Sequence, residues 1–111
     1  MPNVLFICSL NESRSPTAEA IYKGRLNTVV KSAGTEANAR IHLSAKLVLW
    51  ADVIFAMEKE NKERLVERFP LETLEKDIII LNITDNYQLM APELIDRIKE
   101  IAGPYMDEYC G

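Results

Sequence analysis

Short oily runs alternate with amphipathic stretches along most of the chain. Val4-Leu5-Phe6-Ile7 is continuously apolar, the pattern of a strand buried on both faces. Pro16 suits the first turn of a helix, where its missing N–H costs nothing. Ala18, Ile21, Tyr22, Arg25 and Leu26 then share one helical face, with the arginine stem lying along it. Thr28 to Ser32 reads as a second strand, closed by Ala33-Gly34. Ser44 is placed to cap a helix carrying Leu47, Val48 and Ala51, and Val53 to Met57 is a third buried strand. Glu58 to Arg68 predicts a helix with a solvated, charged face, supported by Glu58–Lys62 and Glu60–Arg64 pairs, and Pro70 lies just past its end. Asp77 to Leu81 is a fourth strand, apolar on both faces. Pro92 opens a last helix whose core stripe is Leu94, Ile95, Ile98 and Ala102, with Gly103-Pro104 as its break.

Strands covered on both sides and separated by helices call for a parallel sheet in a layered α/β fold. The expected architecture is three-layered and doubly wound, with four parallel strands in the order 2-1-3-4 and residues 1–111 as one domain. Such folds bind ligands beyond the carboxyl ends of their strands. Cys8 stands at one such end and the loop after Leu81 at another.

Composition narrows the chemistry mainly by exclusion. A net charge of −4 offers no general attraction to nucleic acid or to a bilayer, so any anion site must be local. No apolar run approaches the ~20 residues of a membrane span and no signal peptide opens the chain, so a cytoplasmic location is expected. Cys8 and Cys110 are the only cysteines and make no disulfide framework, Cys110 reading as an exposed bystander. His42 is the one histidine, a surface residue before a helix, and without cysteine pairs there is no zinc set. Neither metal nor cofactor is expected.

The chemistry concentrates in Cys8-Ser9-Leu10-Asn11-Glu12-Ser13-Arg14, which joins the first strand to the first helix. Backbone N–H groups of such a loop can turn inward as an anion nest, and the helix that follows adds unpaired N–H groups and a positive dipole end. Arg14 supplies a planar fork for two phosphate oxygens. Positive surroundings favour a thiolate, and a thiolate under a bound phosphate is a nucleophile aimed at phosphorus. Cysteine and arginine thus bracket a site for a tetrahedral dianion.

The spacing Cys-x5-Arg followed by Ser, placed near the amino terminus with "RSP-x-AE" running into a helix, resembles the low-molecular-weight protein tyrosine phosphatases. "SAGT" at Ser32–Thr35 and "ADVIFAMEKEN" at Ala51–Asn61 resemble that family's second strand and turn, and its third strand and following helix. "TDNY" at Thr84–Tyr87 stands where the family carries an Asp-Pro-Tyr loop, and the compact "SRSPTAE" and "APELI" segments suggest a short branch. The resemblance implies a phosphotyrosine phosphatase I-like fold and hydrolysis of phosphotyrosine proteins or small aryl phosphates, releasing inorganic phosphate. It implies Cys8 as nucleophile, Arg14 as transition-state ligand and Asp85 as general acid and then base. Residues Ser9, Leu10, Asn11, Glu12, Ser13, Arg14 and Ser15 would form the phosphate loop. Ser15 would donate to the Cys8 sulfur, and Asn11 and Ser32 would support the loop.

Several positions depart from the family pattern. Leu10 replaces a common glycine, Ser13 a second loop cysteine, and Asn86 the proline of the acid loop. Glu12 puts a carboxylate into an anion-binding loop, pointing outward, where it would repel acidic substrates. Little chain separates Thr35 from the next helix, which implies a shallow pocket. Tyr87 is a candidate stacking wall, whereas Trp50 has a core-facing register. Thr84-Asp85-Asn86 also reads as plain turn chemistry. An arsenate reductase would use the same nest but needs resolving cysteines that can reach Cys8, and only Cys110 is on offer. A phosphate- or phosphoprotein-binding module would need no thiol. A sugar-phosphotransferase B domain would lack the "RSP-x-AE" helix start and the acid loop.

Overall fold

In a computed structural model of the chain, which describes residues 2–25 and 27–110, helices and strands alternate throughout. The strands are β1 (Asn3–Cys8), β2 (Val29–Gly34), β3 (Val53–Ala56) and β4 (Asp77–Ile80). The helices are α1 (Arg14–Tyr22), α2 (Ala45–Trp50), α3 (Lys59–Arg68) and α4 (Pro92–Cys110). All strand pairs are parallel and the sheet order is β2-β1-β3-β4, as the alternation of elements requires.

Alternation of side chains splits β1 between the two faces of the sheet. Val4, Phe6 and Cys8 join one core, closed by Ala18 and Tyr22 of α1 and by Leu94, Ile98, Ala102 and Met106 of α4. Leu5 and Ile7 join the other, closed by Val48 of α2 and Leu65 of α3. Phe6 stacks on Tyr22 at 5.9 Å and on Phe55 at 5.1 Å, so the central strand is held from both helix and sheet. Burying an aromatic ring this fully contributes about 1.5–3 kcal/mol, which ties the position of Cys8 to the core. Ser44 caps α2 as expected, its Oγ accepting from the Leu47 N–H at 3.2 Å.

Four expectations need correction. Helix α1 stops at Tyr22, where the Lys23 N–H bonds the Glu19 carbonyl. Arg25 therefore lies beyond the helix, over the Tyr22 ring at 5.6 Å and 3.3 Å from Asp107, and Leu26 lies outside the described residues. Strand β2 starts at Val29 and runs on through Gly34, because Ala33 and Gly34 pair with Ile7 and Cys8. Helix α4 does not break at Gly103-Pro104 but continues to Cys110. The core stripe carries on into fully buried Met106, Tyr105 packs edge-on to Phe55 at 6.1 Å, and the Tyr109 hydroxyl reaches Asp77 at 2.8 Å. Proline removes one helical bond, the one to the carbonyl of Glu100, itself an exposed residue. Finally, Glu60 pairs with Arg64 at 3.2 Å but Glu58 turns away from Lys62 toward Arg14. A buried guanidinium is the stronger claimant on that carboxylate than an exposed lysine on the same helix.

Candidate active site

Cys8 ends β1 almost wholly buried, and Arg14 opens α1 just as buried. The loop between them is braced from behind by residues 35–40. The Thr35 N–H donates to the Cys8 carbonyl at 2.9 Å, Glu36 to Ser9 at 3.0 Å and Arg40 to Leu10 at 3.0 Å. Arg40 Nε adds a bond to the Asn11 carbonyl at 3.0 Å. In a trans peptide the C=O and the next N–H point in opposite directions. With the carbonyls of residues 8–11 all held toward the brace, the N–H groups of Ser9, Leu10, Asn11 and Glu12 face the other way, into the loop. That is an anion nest built by backbone planarity.

Gly34 permits the close approach of brace and loop. A Cβ there would stand 2.5 Å from Ala39 Cβ and 2.6 Å from the Ser9 carbonyl oxygen. Asn11 takes a positive φ of 58°, which asparagine tolerates better than most residues, and its side chain is buried in the turn it stabilises.

The polar side chains beneath Cys8 form one directed chain. Ser32 donates to Glu19 Oε1 at 2.5 Å, since a carboxylate only accepts. Its single proton is thereby used, so Asn11 Nδ2 must donate to Ser32 at 2.9 Å, and it also donates to Ser15 at 2.8 Å. The Ser15 proton is then free for Cys8 Sγ, which lies 3.0 Å away, nearer than the Ala33 carbonyl at 3.5 Å. The network leaves the Ser15 hydroxyl able to donate to the sulfur.

Arg14 is held along one edge. Its Nη1 donates to Glu58 and to the Ile83 carbonyl, the latter at 2.9 Å. Its buried Nε has no hydrogen-bond partner and faces Asp85 Oδ1 at 3.6 Å. Glu58 also caps α3 in a capping box with Asn61, whose amide reaches Ser9 Oγ at 3.3 Å and Thr35 Oγ1 at 3.4 Å. The start of α3 therefore locks both the arginine and the brace.

A cavity of about 320 Å³ opens over this floor. Cys8, Leu10, Glu12, Ser13 and Arg14 line it with Asp85, Tyr87, Gln88 and Leu89 from the loop after β4. Ser9, Asn11, Ser15 and Ser32 act from behind the loop rather than in the cavity. Asp85 is well exposed, with 61% of its side-chain surface open, while the adjacent turn is closed by a 2.6 Å bond from Thr84 Oγ1 to Asn86 Oδ1. Tyr87 is half-buried at the cavity wall. Trp50 lies elsewhere, packed on the α2/α3 core with Lys31 Nζ 4.6 Å from its ring centre. His42 is exposed, and the Cys110 side chain lies outside what the structure describes. Among the described residues no group of three or more His, Cys, Asp or Glu side chains could hold a metal, and no helix is long and apolar enough to cross a membrane. Glu58, Asn61 and Arg40 were not legible as site residues, because each reaches the loop only through tertiary contact.

Residues 3–51 match the family model described as "Low molecular weight phosphotyrosine protein phosphatase". Over those residues the resemblance read from the sequence is borne out. The matched segment holds residues 8–14, Gly34 and the brace, and the likeness of fold spans the chain. The phosphatase SP-PTP from Streptococcus pyogenes superposes with a TM-score of 0.78 at 15% identity, covering 100% of this chain and 95% of its own. Vibrio vulnificus Wzb in complex with benzylphosphonate gives 0.78 at 22% identity, with 96% and 98% covered. A cysteine-to-serine mutant of the YwlE arginine phosphatase, with a phosphorylated active-site serine, gives 0.79 at 19% identity, with 96% and 94% covered. Among curated proteins none matches.

Proposed function

We propose that this protein is a metal-independent, cysteine-dependent phosphatase that hydrolyses phosphotyrosine in proteins or small aryl phosphate monoesters. The observation that carries the reading is the braced loop: its inward N–H groups lie beside a sulfur in hydrogen-bond contact with the Ser15 hydroxyl at 3.0 Å. A phosphoryl dianion in that nest would take hydrogen bonds from the loop and from Arg14, whose Nε has no hydrogen-bond partner. Cys8 Sγ would attack phosphorus in line with the phenolate, forming the S–P bond as the P–O bond breaks, while Asp85 hands its proton to the departing oxygen. Water would then attack the cysteinyl-phosphate, giving a proton to Asp85 and releasing inorganic phosphate, with Ser15 supporting the thiolate that leaves. Asp85 has the exposure such a shuttle needs, and its oxygen already stands beside the arginine.

The test is hydrolysis of para-nitrophenyl phosphate, a phosphotyrosine peptide and N-phosphoarginine with chelator present. The last belongs in the panel because several structures of like fold are arginine phosphatases. Turnover abolished in Cys8→Ser and lowered about 10²–10⁴-fold in Asp85→Asn supports the mechanism. No turnover by the wild-type protein of any of the three overturns it, and preference for N-phosphoarginine moves the substrate while keeping the chemistry.

A further inference from the structure

A pocket that takes a phosphate dianion gains from cations at its rim, yet this rim carries acids. Among the residues lining the cavity Arg14 is the only cation, and its charge is already engaged by Glu58 and faced by Asp85. Glu12 lines the same cavity, is exposed, and has no ion-pair partner among the described residues. Arg40, the basic residue of the brace, bonds the Asn11 carbonyl from behind the loop and does not line the cavity. The remaining walls are mostly apolar or neutral, with Leu10, Tyr87 and Leu89. A phosphorylated segment entering this mouth therefore meets the exposed Glu12 and Asp85 carboxylates and, beyond Arg14, no lining cation.

We propose that Glu12 is a specificity-determining residue that selects phosphotyrosine flanked by lysine or arginine and rejects acidic flanks. The inference rests on the phosphatase reading of the pocket. An exposed charge pair of this kind is worth roughly a fivefold difference, repulsion acts by a similar factor in the opposite sense, and both are screened by salt. Selection of this type needs no built subsite. It follows from where a flanking side chain must lie when the ring enters between Tyr87 and the loop.

The experiment compares kcat/KM for three phosphotyrosine peptides that differ only in flanking Lys, Gln or Glu, with para-nitrophenyl phosphate as the uncharged-flank control. Wild type should rank Lys over Gln over Glu, by roughly fivefold per step at low salt, and the spread should narrow in ~0.5 M NaCl. Glu12→Gln should compress the spread and Glu12→Lys should invert it. Because each reading is a ratio within one enzyme, damage to the loop cancels. Equal or acid-preferring turnover by wild type overturns the inference, as does a spread unchanged by both substitutions or one that survives high salt in wild type. Hydrolysis of the control with none of the peptides overturns it as well. Failure to hydrolyse the control, the peptides and N-phosphoarginine alike is a different result, because it removes the phosphatase reading itself.

Discussion

Ser32 donates to the Glu19 carboxylate at 2.5 Å, so toward Asn11 Nδ2, 2.9 Å away, its oxygen only accepts. Asn11 Nδ2 donates to Ser15 as well, which leaves the Ser15 proton available to the sulfur 3.0 Å away. An acceptor on α1 thus anchors a chain of hydrogen bonds that ends at Cys8.

Replacing Glu19 by Gln should loosen that order, because the new amide can donate to Ser32, whose proton then serves Asn11 Oδ1 once that amide turns over. Alkylation of Cys8 by iodoacetate at fixed pH should slow about tenfold, the worth of one hydrogen bond to a charged group. Far-UV circular dichroism and the unfolding midpoint serve as checks that the fold persists. Unchanged alkylation would mean that the Ser15 proton is oriented by something other than this chain.

Glu58 neutralises a buried arginine while itself staying partly open to solvent. Glu58→Gln should lower the unfolding free energy by about 1–2 kcal/mol, less than a fully buried pair would lose, since water screens part of the interaction. Inorganic phosphate should then stabilise the variant more than the wild-type protein, because the dianion supplies the missing counter-charge. Denaturant titrations with and without phosphate measure both effects, and equal gains in the two proteins would contradict the account.

Gly34→Ala forces a methyl group against Ala39 and the Ser9 carbonyl. Neither neighbour is the free end of a flexible side chain, so the brace and the loop must separate. A cost of about 1–3 kcal/mol is expected, with turnover falling further than stability because the N–H groups lose their aim. Full activity with lowered stability would show that the nest does not depend on the brace.

Burdened by its bond to Asp77, the Tyr109 hydroxyl has its pKa raised from 10.0 to about 12. A folded-state pKa above the unfolded one means a contribution that is complete below about pH 10 and lost as pH rises through about 12. The stability difference between wild type and Tyr109→Phe should therefore shrink across that window, as read from urea midpoints. A difference that grew with pH would reverse the assigned sign.

The parallel sheet was legible from local pattern, and so was the loop that joins β1 to α1. Val4-Leu5-Phe6-Ile7 can satisfy its side chains only between two helical layers, and five residues between strand end and helix start suffice to close a nest. Ser44 likewise announces its helix within three residues. Such features depend on backbone periodicity and on neighbours a few positions away, so the order of residues carries them. Partners of buried charge are another matter. Glu58 had a lysine four residues on, yet it joins Arg14, 44 positions distant, because desolvation makes the buried guanidinium the more demanding partner. Pro104 reads as a stop, yet α4 passes through it because Met106 has a core to enter. The carbonyls of residues 8–11 find their donors in residues 35–40, which bear no local sign of that task. In each case contact with a distant segment chose the outcome.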